Sequence, residues 1–165
     1  MENSDNKRRV ILVTDGDRIA KKAVEKAALR IGGRCISKSA GNPTPMSGRS
    51  IIELIKKAPY DPVVVMVDDK GNVGMGNGEK VIVDLAKSLD IEILGVIAVA
   101  SNTEGVKGVD VDFSVTKDGN IVENTVDKYG TICAGLKIIG DTVDILESIN
   151  VPVIVGIGDP GKMDG

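Results

Sequence analysis

The stretch RVILVTDGDRIAKKAVEKAALRIGG, residues 9–33, decides the architecture. Val10, Ile11, Leu12 and Val13 form an unbroken aliphatic run inside Arg9–Thr14. A strand with one wet face alternates apolar and polar side chains, so a continuous run reads as a strand covered on both faces. After the TDGD turn, Ala20, Ala23, Val24, Ala27 and Ile31 recur at helical spacing. Lys21, Lys22, Glu25, Lys26 and Arg30 fall mostly on the other side, which makes the helix amphipathic. Gly32 and Gly33 stop it.

Strands and helices go on alternating downstream. Arg34–Ser39 is a second, weaker strand, and residues 40–48, AGNPTPMSG, are loop by composition. A short helix carries Ile51, Ile52, Ile55 and Ala58 inward and ends before Pro59. VVVMV, residues 63–67, is a buried strand, followed by a glycine-rich loop. The next helix runs from about Gly78 to Leu89, with Ile82, Leu85, Ala86 and Leu89 as its stripe, and Ile91–Ala100 is another buried strand. Beyond Gly108 the period changes to two: Val111, Phe113 and Val115 alternate with Asp112, Ser114 and Thr116. Lys117-Asp118-Gly119-Asn120 is a hairpin turn leading to a return strand, Ile121–Val126. Asp141–Ile149 reads as a last helix with Val143, Leu146 and Ile149 inward, and a final strand, VIVGI, follows Pro152.

This order predicts an α/β fold: an open, mainly parallel sheet with helices on both faces, a Rossmann-like or Toprim-like sandwich, plus a β-hairpin near 111–126. Residues 9–14, 63–68 and 93–100 are the expected central strands. Residues 1–8 read as a disordered tail and 9–165 as a single α/β domain.

At 165 residues and 42% apolar content the chain is long enough to bury a core. The aromatic share of 2% means that core is aliphatic. There is no histidine, which removes Ser-His-Asp and Cys-His catalysis and imidazole metal sites. The two cysteines, Cys35 and Cys133, make no disulfide framework and fit a reducing compartment. A net charge of −3 argues against nucleic acid as a partner. No apolar run approaches the roughly 18 residues of a spanning helix, and the polar start MENSDNKRR has no signal-peptide core.

In an open parallel sheet, ligands bind beyond the carboxyl ends of the strands. Those ends carry Thr14, Asp15 and Asp17, then Asp68 and Asp69, then Ser101 and Asn102, and finally Asp159. Turn and cap chemistry accounts for such residues one at a time, and Thr14 with Asp17 has capping-box spacing. As a set, Asp15, Asp17, Asp68, Asp69 and Asp159 are the candidate metal ligands, for magnesium or calcium rather than any required cofactor. Gly71, Gly74, Gly76 and Gly78 lie in the loop after Asp68-Asp69-Lys70. Their backbone N–H groups, with Ser101 and Asn102, are the candidate ligand-binding groups. The loop lacks the G-K-[ST] of a P-loop, and Lys70 and Val73 break an EF-hand pattern. Asp15-x-Asp17 is similar to the first motif of haloacid-dehalogenase-type phosphatases, where the first acid is the nucleophile; Arg18 departs from that motif. No catalytic residue is assigned.

Several blocks are more specific. RRVILVTDGDRIAKKAVE, IGGRCISKSAGNPTPMSG, APYDPVVVMVDDKGNVGMGNGE, LGVIAVASNTEG and VPVIVGIGDPGKM closely resemble the soluble stage V sporulation protein AE family of spore-forming Firmicutes, from about Arg8 to Met163. The resemblance implies a soluble accessory protein of sporulation and spore germination. Its partners would be the stage V membrane channel proteins that move dipicolinic acid, chelated with calcium, and it would sit peripherally at the spore inner membrane. It implies no enzymatic activity. A metal-dependent phosphohydrolase of haloacid-dehalogenase-like or Toprim-like type is the alternative, and self-association stays open. Family members continue past this chain's last residue, so one face of the sheet is expected to lack part of its cover.

Overall fold

The computed structural model describes residues 7–15, 18–36, 47–68, 77–101, 108–140 and 143–163. The elements are β1 (Arg8–Val13), α1 (Arg18–Arg30), β2 (Arg34–Cys35), α2 (Gly48–Lys57), β3 (Val63–Met66), α3 (Asn77–Lys87) and β4 (Ile91–Val99), then β5 (Val109–Asp110), β6 (Phe113–Val115), β7 (Ile121–Val122) and β8 (Lys137–Ile138). A 3-10 helix at Asp144–Ser148, β9 (Ile154–Ile157) and α4 (Pro160–Met163) follow.

One seven-stranded sheet has the order β2-β3-β1-β4-β9-β6-β7, and β5 and β8 form a separate antiparallel pair. All neighbours in the large sheet are parallel except β6 and β7. The three expected central strands are interior and adjacent. Each has neighbours on both sides and layers on both faces, which is why its sequence never alternates.

The chain leaves β1 toward β2 and returns across β3 and β1 to β4. Right-handed crossovers in opposite directions put helices on opposite faces. On one face Ile51 and Ile55 of α2 and Val81, Ile82 and Leu85 of α3 pack on Val10, Leu12, Val63 and Val65. On the other, Ala20 and Ala28 of α1 pack on Val13, Val64 and Met66. A fully buried Leu or Ile in such a core contributes about 1.5–3 kcal/mol relative to exposure.

Several boundaries and faces differ from the sequence reading. β1 begins at Arg8, a residue earlier. Arg8 is thus no part of a disordered tail: its guanidinium donates to the carbonyls of Ile55, Lys56 and Ala58 at the end of α2, where a positive charge meets the helix C-terminus. The inward stripe of α1 is Ala20, Val24 and Ala28, while Ala23, Ala27 and Ile31 face out. Alanine is too small to mark a face unaided, and two stripes one residue apart fit the same period. In α3, Val81 joins Ile82 and Leu85 inside, and Ala86 and Leu89 are exposed. The last helix is a single stretch of 3-10, with Val143 and Leu146 inward as expected. The expected return strand shortens to Ile121–Val122.

The hairpin strand is inverted. Ser114 is buried, and Phe113 and Val115 are half-buried. Ser114 sits beside Gly156, its register partner in β9. That face of the sheet is covered by Val111 and Ile138 from around the small β5–β8 sheet. A period of two reveals alternation but not which side another layer will cover.

Candidate functional site

The carboxyl edge of the sheet gathers the candidate residues in two places. The first lies between β1 and β3. Val13 and Met66 are register partners, and the Val67 N–H donates to the Val13 carbonyl at 2.9 Å. Asp15 and Asp68 each lie two residues beyond that pair, so the parallel register carries them out side by side. Both are buried, at 7% and 5% exposure.

Thr14 fixes this corner. Its N–H donates to Ile97 O at 3.0 Å, and its Oγ1 accepts from Val99 N at 2.9 Å. The hydroxyl therefore clasps β1 to β4. The capping-box reading is corrected: α1 begins at Arg18, so Thr14 is not its N-cap, and the hydroxyl serves the neighbouring strand. On the other side, α3 begins directly over Asp68. A Cβ at Gly78 would stand 2.9 Å from Asp68 N, C and O, closer than any real side chain sits, so only glycine lets the helix start there. The positive end of the α3 dipole thus lies at Asp68. Two carboxylates about 4 Å apart repel by roughly 4 kcal/mol at an effective dielectric of 20, and the helix terminus offsets part of any such repulsion.

Asp159 follows β9, and β4 stands between β9 and β1. Two strand spacings, about 10 Å, separate it laterally from Asp15. It is half-buried, its N–H donates to Lys128 O at 2.7 Å, and its carbonyl receives Lys162 and Met163 N–H at the start of α4. Among the described residues, no group of three or more Asp, Glu, Cys or His side chains gathers at metal-binding spacing. Asp17, Asp69, Gly71, Gly74, Gly76 and Asn102 lie outside the described residues. The site that the described residues build here is a buried pair of acids, not a full coordination sphere.

The second place is a cleft of about 630 Å³ at the carboxyl end of β4. Ser101 is on one wall, together with Ala100. The other wall is the segment 125–139, including Thr125, Lys128, Cys133 and Lys137. Sequence reasoning reached Ser101 through the strand-end rule but gave the far wall no role.

That wall is a tight hairpin. Val126 bridges Ile132, Cys133 N donates to Thr125 O, and Asp127 Oδ1 accepts from the N–H of Tyr129 and of Thr131. The Asp127-x-x-Gly130 turn was its legible signal, since Asp accepting from the backbone two residues on is a common turn device. Backbone bonds dock the hairpin onto the body: Ser101 N to Ile139 O at 2.9 Å, Asp159 N to Lys128 O, and Lys117 N to Gly130 O at 3.0 Å. The cleft is therefore built into the fold.

Its chemistry is mixed. Lys137 stands 3.3 Å from Asp110 and 3.6 Å from Glu147. The hydrogen bond and charge of Asp110, then the charge of Glu147, hold its ammonium above the usual lysine range. Lys128 Nζ lies 5.2 Å from the centre of the Tyr129 ring. Thr125 is buried, and its Oγ1, closed off from solvent, has no hydrogen-bond partner among the described residues.

Comparison with known proteins gives one family. The model of the stage V sporulation protein AE1 family matches residues 9–165. No curated protein and no solved structure matches. The match spans nearly the whole chain, so the chain belongs to that family and is a sporulation protein.

Proposed function

From that membership we propose that the protein is an accessory component of the machinery that moves dipicolinic acid, as its calcium chelate, across the spore inner membrane during sporulation and germination. It acts by binding, not by chemistry, and is held peripherally at the membrane by the stage V channel proteins. The observation that carries this reading is the family match over residues 9–165. Two features support it. No helix among the described residues is long and apolar enough to cross a membrane, so attachment of this part would run through other proteins. The outermost strand presents Ile121 at 72% exposure, an apolar contact on an open sheet edge.

Fractionation of spores with affinity capture from sporulating cells tests it. The protein should travel with the inner-membrane fraction, come off in high salt or mild detergent, and bring stage V channel proteins with it. Recovery in the soluble core fraction with no such partner overturns it.

One observation favours a second reading: buried Asp15 and Asp68, side by side beyond adjacent parallel strands, suit a hard divalent cation and hence a metal-dependent phosphohydrolase. Calorimetry with magnesium, calcium and calcium dipicolinate, beside a generic phosphatase assay with magnesium, separates the two. Turnover abolished by Asp15→Asn establishes the enzyme. Calcium or calcium dipicolinate binding without turnover, lost in Asp68→Asn, ties the pair to the transported ligand instead.

A further inference from the structure

The cleft at the end of β4 is lined by other side chains than the acid pair. The chain as a whole carries a net charge of −3. Of the charged side chains on the described walls of the cleft, two are lysines, Lys128 and Lys137, and one is acidic, Asp127. Asp127 is turned to internal use, with Oδ1 accepting two backbone N–H groups of its own hairpin. Lys137 is held only by exposed ion pairs with Asp110 and Glu147, and such pairs exchange readily for a better partner. Lys128 makes no ion pair within 4.0 Å among the described residues and rests beside the Tyr129 ring.

A serine completes the lining. Ser101 leaves the carboxyl end of a central parallel strand, where open sheets present groups to ligands. The volume, about 630 Å³, is in the usual range for small-molecule sites. The walls are docked by backbone hydrogen bonds, so little ordering is needed on binding.

We infer that this cleft binds a small anion bearing carboxylate or phosphate oxygens, with Lys128 and Lys137 as the charged contacts and Ser101 as the hydroxyl contact. The inference does not rest on the transport reading: failure to find channel partners leaves it standing, and failure of anion binding leaves membrane association untouched.

The chain offers its own reporter. It has two tyrosines and no tryptophan. Tyr60 is exposed before β3, at the other end of the sheet, so Tyr60→Phe leaves Tyr129, beside the cleft, as the sole fluorophore of consequence. In that background, inorganic phosphate, pyrophosphate and citrate are titrated at constant ionic strength, with sodium chloride as control. The expected result is a saturable change in Tyr129 emission with at least one of the three and none with chloride. The pyrophosphate and citrate arms tell phosphate from carboxylate preference. Lys128→Gln and Lys137→Gln should each weaken binding about tenfold, the scale of one charge-assisted contact. Both lysine positions are solvent-accessible, so these variants should keep the wild-type thermal midpoint. No saturable change at millimolar anion, an equal response to chloride, or unchanged affinity in the double lysine variant overturns the inference.

Discussion

Arg9 and Asp61 show how far a single residue pair reaches. The Arg9 guanidinium donates from Nε and Nη2 to Asp61 Oδ2, tying β1 to the turn before β3. The hydrogen bond from Arg9, then its charge, holds the Asp61 carboxyl below the usual carboxylate range. A depressed folded-state pKa stabilises above the unfolded value, near 3.9, and that contribution is lost as pH falls through the lowered folded value. Both side chains are more than a third exposed, so solvent and salt screen the pair and the effect is small. Asp61→Asn should therefore lower the thermal midpoint slightly at pH 7 and by less near pH 2, with the difference shrinking in high salt. Equal differences at both pH values would sink this account.

At the scale of elements, the contact between β6 and β9 is the tightest test of the packing. Ser114 and Gly156 are register partners, and a Cβ on Gly156 would stand 2.6 Å from Ser114 Oγ, with Ile138 Cδ1 at 3.1 Å and Val111 Cγ1 at 3.3 Å. Ser114 Oγ is buried and makes no hydrogen bond among the described residues. Ser114→Ala should thus stabilise by about 1 kcal/mol, because it deletes an unsatisfied hydroxyl and leaves the Cβ in place. Gly156→Ala should destabilise by about 1–3 kcal/mol through overpacking. The double variant should recover part of that loss, since its worst clash is the oxygen that has gone, giving a coupling of at least about 0.5 kcal/mol. Urea unfolding of the four proteins measures this cycle, and strict additivity would show that β6 and β9 do not meet as described.

For the whole molecule, order along the sheet does what no single element does. β3, β1 and β4 stand side by side although β2 and three helices intervene in sequence. That order brings Asp15 next to Asp68 and leaves Asp159 two strands away. The β5–β8 segment folds back over the end of β4 and turns a strand terminus into a cleft. The chain itself determined the α/β class, the three central strands, the hairpin at Lys117–Asn120 and the burial of Ile51, Ile55, Ile82 and Leu85. Those follow from local periodicity, turn chemistry and the demand that long aliphatic runs be covered on both faces. Tertiary structure alone decided which side of α1 and of β6 faces inward, that Thr14 clasps β4, that Arg8 caps α2, and that residues 125–139 wall a cleft with Ser101. Each of these depends on which layer arrives from elsewhere in the chain. A period says that two faces differ, and only the partner layer says which of them loses its water.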